Sequence, residues 1–457
     1  MTIQQAGALL RGGKTSAAEL TGESLRRIAQ EQPRLNAFIT VMEEQAPARA
    51  RRMDEELARG HDRGPLHGIP VAVKDNFCTR GVRTTCGSRL FADHVPEHDA
   101  AVVEKLEAAG AVLVGKTGLH ELAYGITSNN PHFGTIRNAR DPERIPGGSS
   151  GGSGTAVAAG IVFMAMGTDT GGSIRIPAAF CGTAGLKPTT GRVSRYGVLP
   201  LDFTLDHMGP LARSVRDTAL TLDAIAGHDP RDDSSSRAPV TASVPPDGVS
   251  IRGLRVGVPE NFFFDYLDAG VERAVHGAIE LAGRLGAVVT PVRVPDFAAI
   301  NVVGRVILLC EASAAMAPYL DRRENFGADV LALLDQGRLL AATDYINAQR
   351  LRRRFQQEFA QIWKHVDCLF TPTTPNPAPR IGQTEIEVGG RTEDARLAST
   401  RLVRGINVLG VPALSIPCGT TDAGLPVGLQ IIGPPFREDL VLRAGAALED
   451  AGGSAEP

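Results

Sequence analysis

Two glycine-flanked serines and one lysine carry the chemistry that can be read from this chain. Gly147-Gly148-Ser149-Ser150-Gly151-Gly152-Ser153 is followed by Gly167-Thr168-Asp169-Thr170-Gly171-Gly172-Ser173. Ser149 and Ser173 lie 24 residues apart (173 − 149), and Lys74 lies 75 residues before Ser149 (149 − 74). Glycine turns let backbone N–H groups face a cavity that a Cβ would otherwise enter. A serine beside such groups, with a base in reach, suits acyl transfer. The competing reading is a pair of ordinary flexible turns. It fits poorly, because both loops abut apolar segments and Gly171-Gly172-Ser173 runs straight into Ile174-Arg175-Ile176-Pro177.

Rigid elements must hold these loops. Val71-Ala72-Val73 reads as a short strand with Lys74 at its end, and Ala111 to Val114 and Ile161 to Met166 read as further strands. The last of these delivers residues 168–173 at its C-terminal end. Ala101 to Ala109 reads as a helix, and the small apolar run Ala156 to Gly160 as a tightly packed one. Ser16-Ala17-Ala18-Glu19 predicts a capping box. Farther on, strands are expected at 256–258, 288–289, 369–370, 414–416 and 429–432, with helices over 271–285 and around Leu351, Phe355, Phe359 and Ile362. Alternating short strands and helices predict an α/β layer architecture. Residues 228–253, rich in Asp, Ser, Pro and Arg, read as a surface connection, and 451–457 as a frayed tail.

The composition excludes several classes. With 48 basic and 51 acidic residues in 457, the net charge of −3 offers no electrostatic case for nucleic acid. The six cysteines show no metal-ligand or C-x-x-C spacing, which suggests buried thiols in a reducing compartment. No apolar run approaching 18 residues is seen, so a soluble cytoplasmic protein is expected, with no metal or cofactor. Gly110-Ala111-Val112-Leu113-Val114-Gly115-Lys116-Thr117 matches a phosphate-loop pattern letter for letter. Its four middle residues are a continuous apolar strand whose N–H groups belong to a sheet, so nucleotide binding is rejected. The run Arg350-Leu351-Arg352-Arg353-Arg354 reads as a solvated helix face. His207 reads as structural or as a pocket wall.

These segments resemble the amidase signature family. The resemblance rests on Gly68-Ile69-Pro70, Lys74, Gly115-Lys116-Thr117, the two glycine–serine loops with their spacing, Pro177 to Gly182, and Gly185-Leu186-Lys187-Pro188-Thr189. It is densest over 68–217, with weaker echoes at Thr371-Pro372-Thr373 and Asn407 to Ala413. It implies one large mixed β-sheet covered by helices on both faces, in a single domain over 1–457. It also implies a Ser–cis-Ser–Lys triad, with Ser173 as nucleophile, Ser149 as bridge and Lys74 as base. The N–H groups of Thr170, Gly171, Gly172 and Ser173 would form the oxyanion hole, and Ala123, with Ser149, would touch substrate. A lysine with an ordinary pKa near 10.4 is a poor base, but burial tunes such groups down to about 7–8. Asp169 and Arg175 read as a structural pair holding the turn.

Two members of the family are weighed. The favoured expectation is a stand-alone hydrolase that cleaves the acyl C–N bond of small amides, anilides or carbamates, including urethanes and esters, with no nucleic acid, membrane or obligatory partner subunit. The alternative is the glutaminase, or A, subunit of a glutamyl-tRNA amidotransferase. Those proteins carry an acid in a D-x-F-T-x-x-[AV]-N pattern, and counting back from Asn407 places Thr400 there. A substrate ammonium without that carboxylate would be poorly recognised.

Overall fold

Eleven strands assemble into one mixed sheet in this computed structural model, which describes residues 1–452. In chain order they are β1 (Phe38–Val41), β2 (Pro70–Lys74), β3 (Val112–Thr117), β4 (Met164–Asp169), β5 (Ala184–Lys187), β6 (His207–Ala212), β7 (Arg255–Pro259), β8 (Val288–Val292), β9 (Cys368–Pro372), β10 (Ala413–Thr420) and β11 (Pro426–Ile432). Across the sheet they run β1-β3-β2-β4-β6-β5-β10-β11-β9-β7-β8. Strands β3, β2 and β4 are mutually parallel, as are β9, β7 and β8. The strands between these groups pair antiparallel. Every residue of β2, β3, β4, β6, β9 and β11 is buried, which requires helices on both faces.

The local signals act where expected. Ser16 and Glu19 form the capping box that opens the helix Ala17–Leu35. The false phosphate loop is β3: Val112 to Thr117 lie in the sheet, and Lys116 Nζ donates to Phe77 O and Thr84 Oγ1 in the interior. The stretch 228–253 carries no helix or strand, yet it is tied down. Arg195 N donates to Asp232, and Ser243 donates to Asp223.

Three readings need correction. The helix Glu438–Gly452 continues through 451 and 452, so the expected fraying does not begin there, and 453–457 lie outside the described residues. In the helix Ala342–Ala360, Arg352 is buried and donates to the carbonyls of Val408 and Thr204, while Leu351 is exposed. A guanidinium that satisfies two buried carbonyls displaces an aliphatic neighbour whose burial needs no partner. The helix Phe297–Met316 opens a stretch, 297–319, with a mean hydropathy of 1.6, long and apolar enough to cross a membrane by composition alone. Half of that window is buried inside the fold.

Gly209 shows how tightly the sheet is packed. It sits opposite Gly167 in the β4–β6 register, and a Cβ there would come 2.1 Å from the Leu186 carbonyl oxygen in β5. Gly209→Ala is expected to cost about 1–3 kcal/mol. Urea denaturation measures this, and an unchanged midpoint would overturn the packing argument.

Candidate active site

Strand register brings the lysine to the serines. β2 and β4 are parallel neighbours with Val73 opposite Met166, so both C-terminal ends open on the same edge of the sheet. Open parallel sheets bind ligands at such ends. Lys74 Nζ donates to Thr168 Oγ1 at 2.7 Å and to Ser149 Oγ at 2.8 Å. Ser149 follows a cis peptide from Gly148 and precedes the helix Gly151–Ala158. That helix is pinned to the strands, because Ser153 Oγ donates to Met166 O and Ser150 Oγ donates to Thr168 O. Ser150 N donates to Ser173 O at 3.2 Å, which joins the two glycine–serine loops. No hydrogen bond joins the Ser149 and Ser173 hydroxyls among the described residues.

Lys74 is fully buried. Burial pushes its pKa down to about 7, against the opposing charges of Asp206 and Asp169. A neutral amine at that position can accept a proton near physiological pH. Asp206 also faces the loop, accepting from Thr170 Oγ1 at 2.5 Å.

The turn before Ser173 is held by a buried ion pair. Arg175 Nε and Nη2 donate to Asp169 at 3.0 and 2.9 Å, and neither side chain is exposed. Burial opposes ionisation of Asp169, but the Arg175 charge and its hydrogen bonds hold the carboxyl well below the usual range. Asn407 Nδ2 donates to both the carbonyl and the carboxylate of Asp169. Arg175 also donates to Asn407 Oδ1 and Gln430 Oε1. Gly172 must be glycine: its φ is +120°, and a Cβ would meet Val403 Cγ2 at 2.4 Å.

The expected oxyanion donors divide. Gly172 N donates to Asp169 Oδ1 at 2.8 Å, which commits it to the turn. The N–H groups of Thr170, Gly171 and Ser173 have no acceptor among the described residues, and these three residues line a cavity of 190 Å³. Ala123 lines it too, with φ +59° beside Leu122 at +51°. Two consecutive non-glycine residues in that region mark a constrained turn, of the kind that clusters at ligand sites. Ser149 and Lys74 are buried and are not among the residues that line the cavity. His207 lies outside the wall as well, with its Nδ1 at hydrogen-bond distance from Leu205 O. Tyr124, Leu201 and Leu308 add further wall. Of the segment from Asp394 to Arg404, only Thr400 had been singled out. It adds Asp394, Arg396, Leu397, Thr400 and Arg404, and nothing in its spacing announces a pocket wall. A larger groove of 830 Å³ between Met1, Arg213 and Glu449 contains no residue of the serine loops, so it has no part in this chemistry.

The sequence itself decides the family: the amidase family model matches residues 19–442. The chain belongs to the amidase signature family. The A subunit of the glutamyl-tRNA(Gln) amidotransferase of Carboxydothermus hydrogenoformans is 40% identical over 467 residues, covering 96% of this chain and 95% of that protein. The corresponding protein of Chloroflexus aurantiacus is 42% identical over 480 residues, covering 98% and 96%. Among solved structures, a chain from an unexpected vestigial protein complex that reveals the evolutionary origins of an s-triazine catabolic enzyme superposes with a TM-score of 0.95 at 38% identity, covering 99% of each chain.

Like other amidase signature chains, this one acts on amide C–N bonds. The expectation of a stand-alone hydrolase of small amides is overturned by these relatives, which are named as subunits of an amidotransferase over nearly their whole length. The expectation that neither nucleic acid nor a partner chain takes part falls with it, since those names carry both a tRNA and a multi-subunit enzyme. Thr400 misled for a physical reason. One position was searched for an acid, whereas Asp394, earlier in the same segment, and Asp329 also line the cavity.

This amidase signature turn depends on its buried pair. Arg175→Met leaves Asp169 buried without its counter-charge and is expected to cost about 3–5 kcal/mol. Guanidinium denaturation checks this; a loss under about 1 kcal/mol would show that Asn407 and the backbone suffice.

Proposed function

We propose that this chain is a glutaminase-type A subunit that frees ammonia from the side-chain amide of glutamine and works with partner subunits on glutamyl-tRNA(Gln). The observation that carries the reading is the identity of about 40% over nearly full length to proteins of that name. The cavity supports it. At 190 Å³ it is below the roughly 300 Å³ of drug-sized sites, and it offers both signs of charge through Arg404 and Asp394. A cytoplasmic place of action accords with a tRNA-linked reaction.

In this reading Ser173 Oγ attacks the amide carbonyl while its proton passes through Ser149 Oγ to neutral Lys74. Hydroxyls both donate and accept, so Ser149 can relay. The oxyanion is received by the N–H groups of Thr170, Gly171 and Ser173, each contributing on the order of 3 kcal/mol. The C–N bond breaks, and the nitrogen leaves as ammonia with the proton returned from Lys74 through Ser149. Water then cleaves the Ser173 ester, giving glutamate and the free Ser173 hydroxyl. This relay requires the Ser149 and Ser173 hydroxyls to come within hydrogen-bond reach when substrate binds.

Two measurements test this. Because the reaction needs neutral Lys74, kcat/KM should rise about tenfold per pH unit below about 7 and level off above it. A flat profile from about pH 5.5 to 8 overturns the role of Lys74. Joined to the remaining subunits of a glutamyl-tRNA(Gln) amidotransferase, the chain should produce glutamate and ammonia from glutamine and amidate Glu-tRNA(Gln), and Ser173→Ala should abolish both. Turnover of other amides, with glutamine refused in the presence of partners, would sink the glutaminase reading.

A further inference from the structure

Two polar atoms are stranded in the wall of the Ser173 cavity. Arg404 Nε and Tyr124 Oη are buried and have no hydrogen-bond partner among the described residues. Both residues line the cavity that contains Ser173. Arg404 makes one side-chain bond, from Nη2 to Thr400 Oγ1 at 2.9 Å. Arg305, exposed and lining the same cavity, adds a second positive charge. Neither arginine is paired with an acid among the described residues. Arg404 packs beside the nucleophile turn: a Cβ on Gly171 would lie 3.8 Å from its Cγ and Nε, and one on Gly304 would lie 3.4 Å from its Cγ.

A half-buried cation with no counter-charge and a stranded Nε is unfavourable, and a guanidinium takes a carboxylate in two parallel hydrogen bonds. Burial, then the Arg305 charge, pushes Arg404 down to about 10, which leaves it cationic at neutral pH. Burial raises the Tyr124 phenol, which keeps it a hydrogen-bond donor. The rest of the wall includes Leu201, Leu308 and Leu333, which satisfy no polar ligand, and two acids already engaged, Asp329 with His120 and Asp394 with the amides of Arg396 and Leu397.

We propose that Tyr124, Arg404 and Arg305 form a carboxylate-receiving subsite facing Ser173, so that the substrate is a short amide bearing a free carboxylate. This rests on the acyl-transfer reading of Ser173, and it does not require that the amide be glutamine. The three residues act as specificity determinants, holding the far end of the substrate while its amide carbonyl lies over the serine.

The test uses the full chain with partner subunits and two readouts. Calorimetry follows binding of glutarate, which needs no turnover. Kinetics give the ratio of kcat/KM for glutaramate to that for butyramide, which lacks the carboxylate. Tyr124→Phe and Arg305→Met, a near-isosteric change and a surface change, are expected to weaken glutarate and to lower the ratio by about tenfold each. Arg404→Met should do so more strongly, and Arg404→Lys should recover part of the loss. If the wild-type chain does not bind glutarate, or if the variants leave both affinity and ratio unchanged, the subsite is wrong. Glutaramate accepted and glutamine refused would keep the subsite and remove the glutaminase reading. Glutarate bound through these residues with no amide turned over would keep the subsite and remove the acyl-transfer reading.

Discussion

The Asp169–Arg175 ion pair is the constraint on which the site depends. It closes the end of β4 onto the helix Arg175–Cys181 with no exposure to water. Asp169 also fixes the amides of Gly172 and Ile174, which sets the course of the chain on both sides of Ser173. Through Asn407 and Gln430 the same pair ties in the helix Arg404–Leu409 and the central strand β11. The wall that carries Arg404 is therefore positioned by the same contacts that position the nucleophile turn. A buried pair of this kind is weak evidence for stability by itself. Its use here is geometric, because its hydrogen-bond partners come from several different elements and fix them relative to one another.

Lys74 presents the opposite case, a buried amine with no ion pair among the described residues. Its partners are hydroxyls, Ser149 and Thr168, and its pKa falls to about 7 because solvent is excluded. Lys116, on the neighbouring strand β3, is equally buried and lies 3.3 Å from Asp75. Burial lowers its pKa also, and the Asp75 charge opposes that shift. Two lysines of the same sheet thus differ in whether a carboxylate is in contact, and that difference separates a candidate base from a structural cation.

Much of the fold was legible in advance, and so were the serine loop and the lysine that the sheet brings together. Strands showed as apolar runs, and the false phosphate loop could be rejected because Ala111 to Val114 cannot form an open turn. The serine loops and Lys74 were found from residue type and spacing, and β2–β4 register explains why that spacing works. The division of labour among the loop amides was not legible. Gly172 and Gly171 look alike as letters, and only the position of the Asp169 carboxylate separates the one that closes the turn from the one that faces the cavity. Arg352 was misplaced for a similar reason, since its carbonyl partners at Thr204 and Val408 come from remote segments.

What the sequence determined alone was the family, the layered α/β architecture and the residues able to carry acyl transfer, because these follow from local periodicity, glycine turns and fixed spacings within neighbouring strands. The tertiary structure alone decided which groups line the cavity beside Ser173. Tyr124, Arg305, Asp329, Asp394 and Arg404 come from separate segments and converge only when the helices close over the edge of the sheet. Thr400, read in isolation, suggested a missing charge. The folded cavity contains several charges around it, and their sum is a property of three-dimensional packing that no linear count can supply.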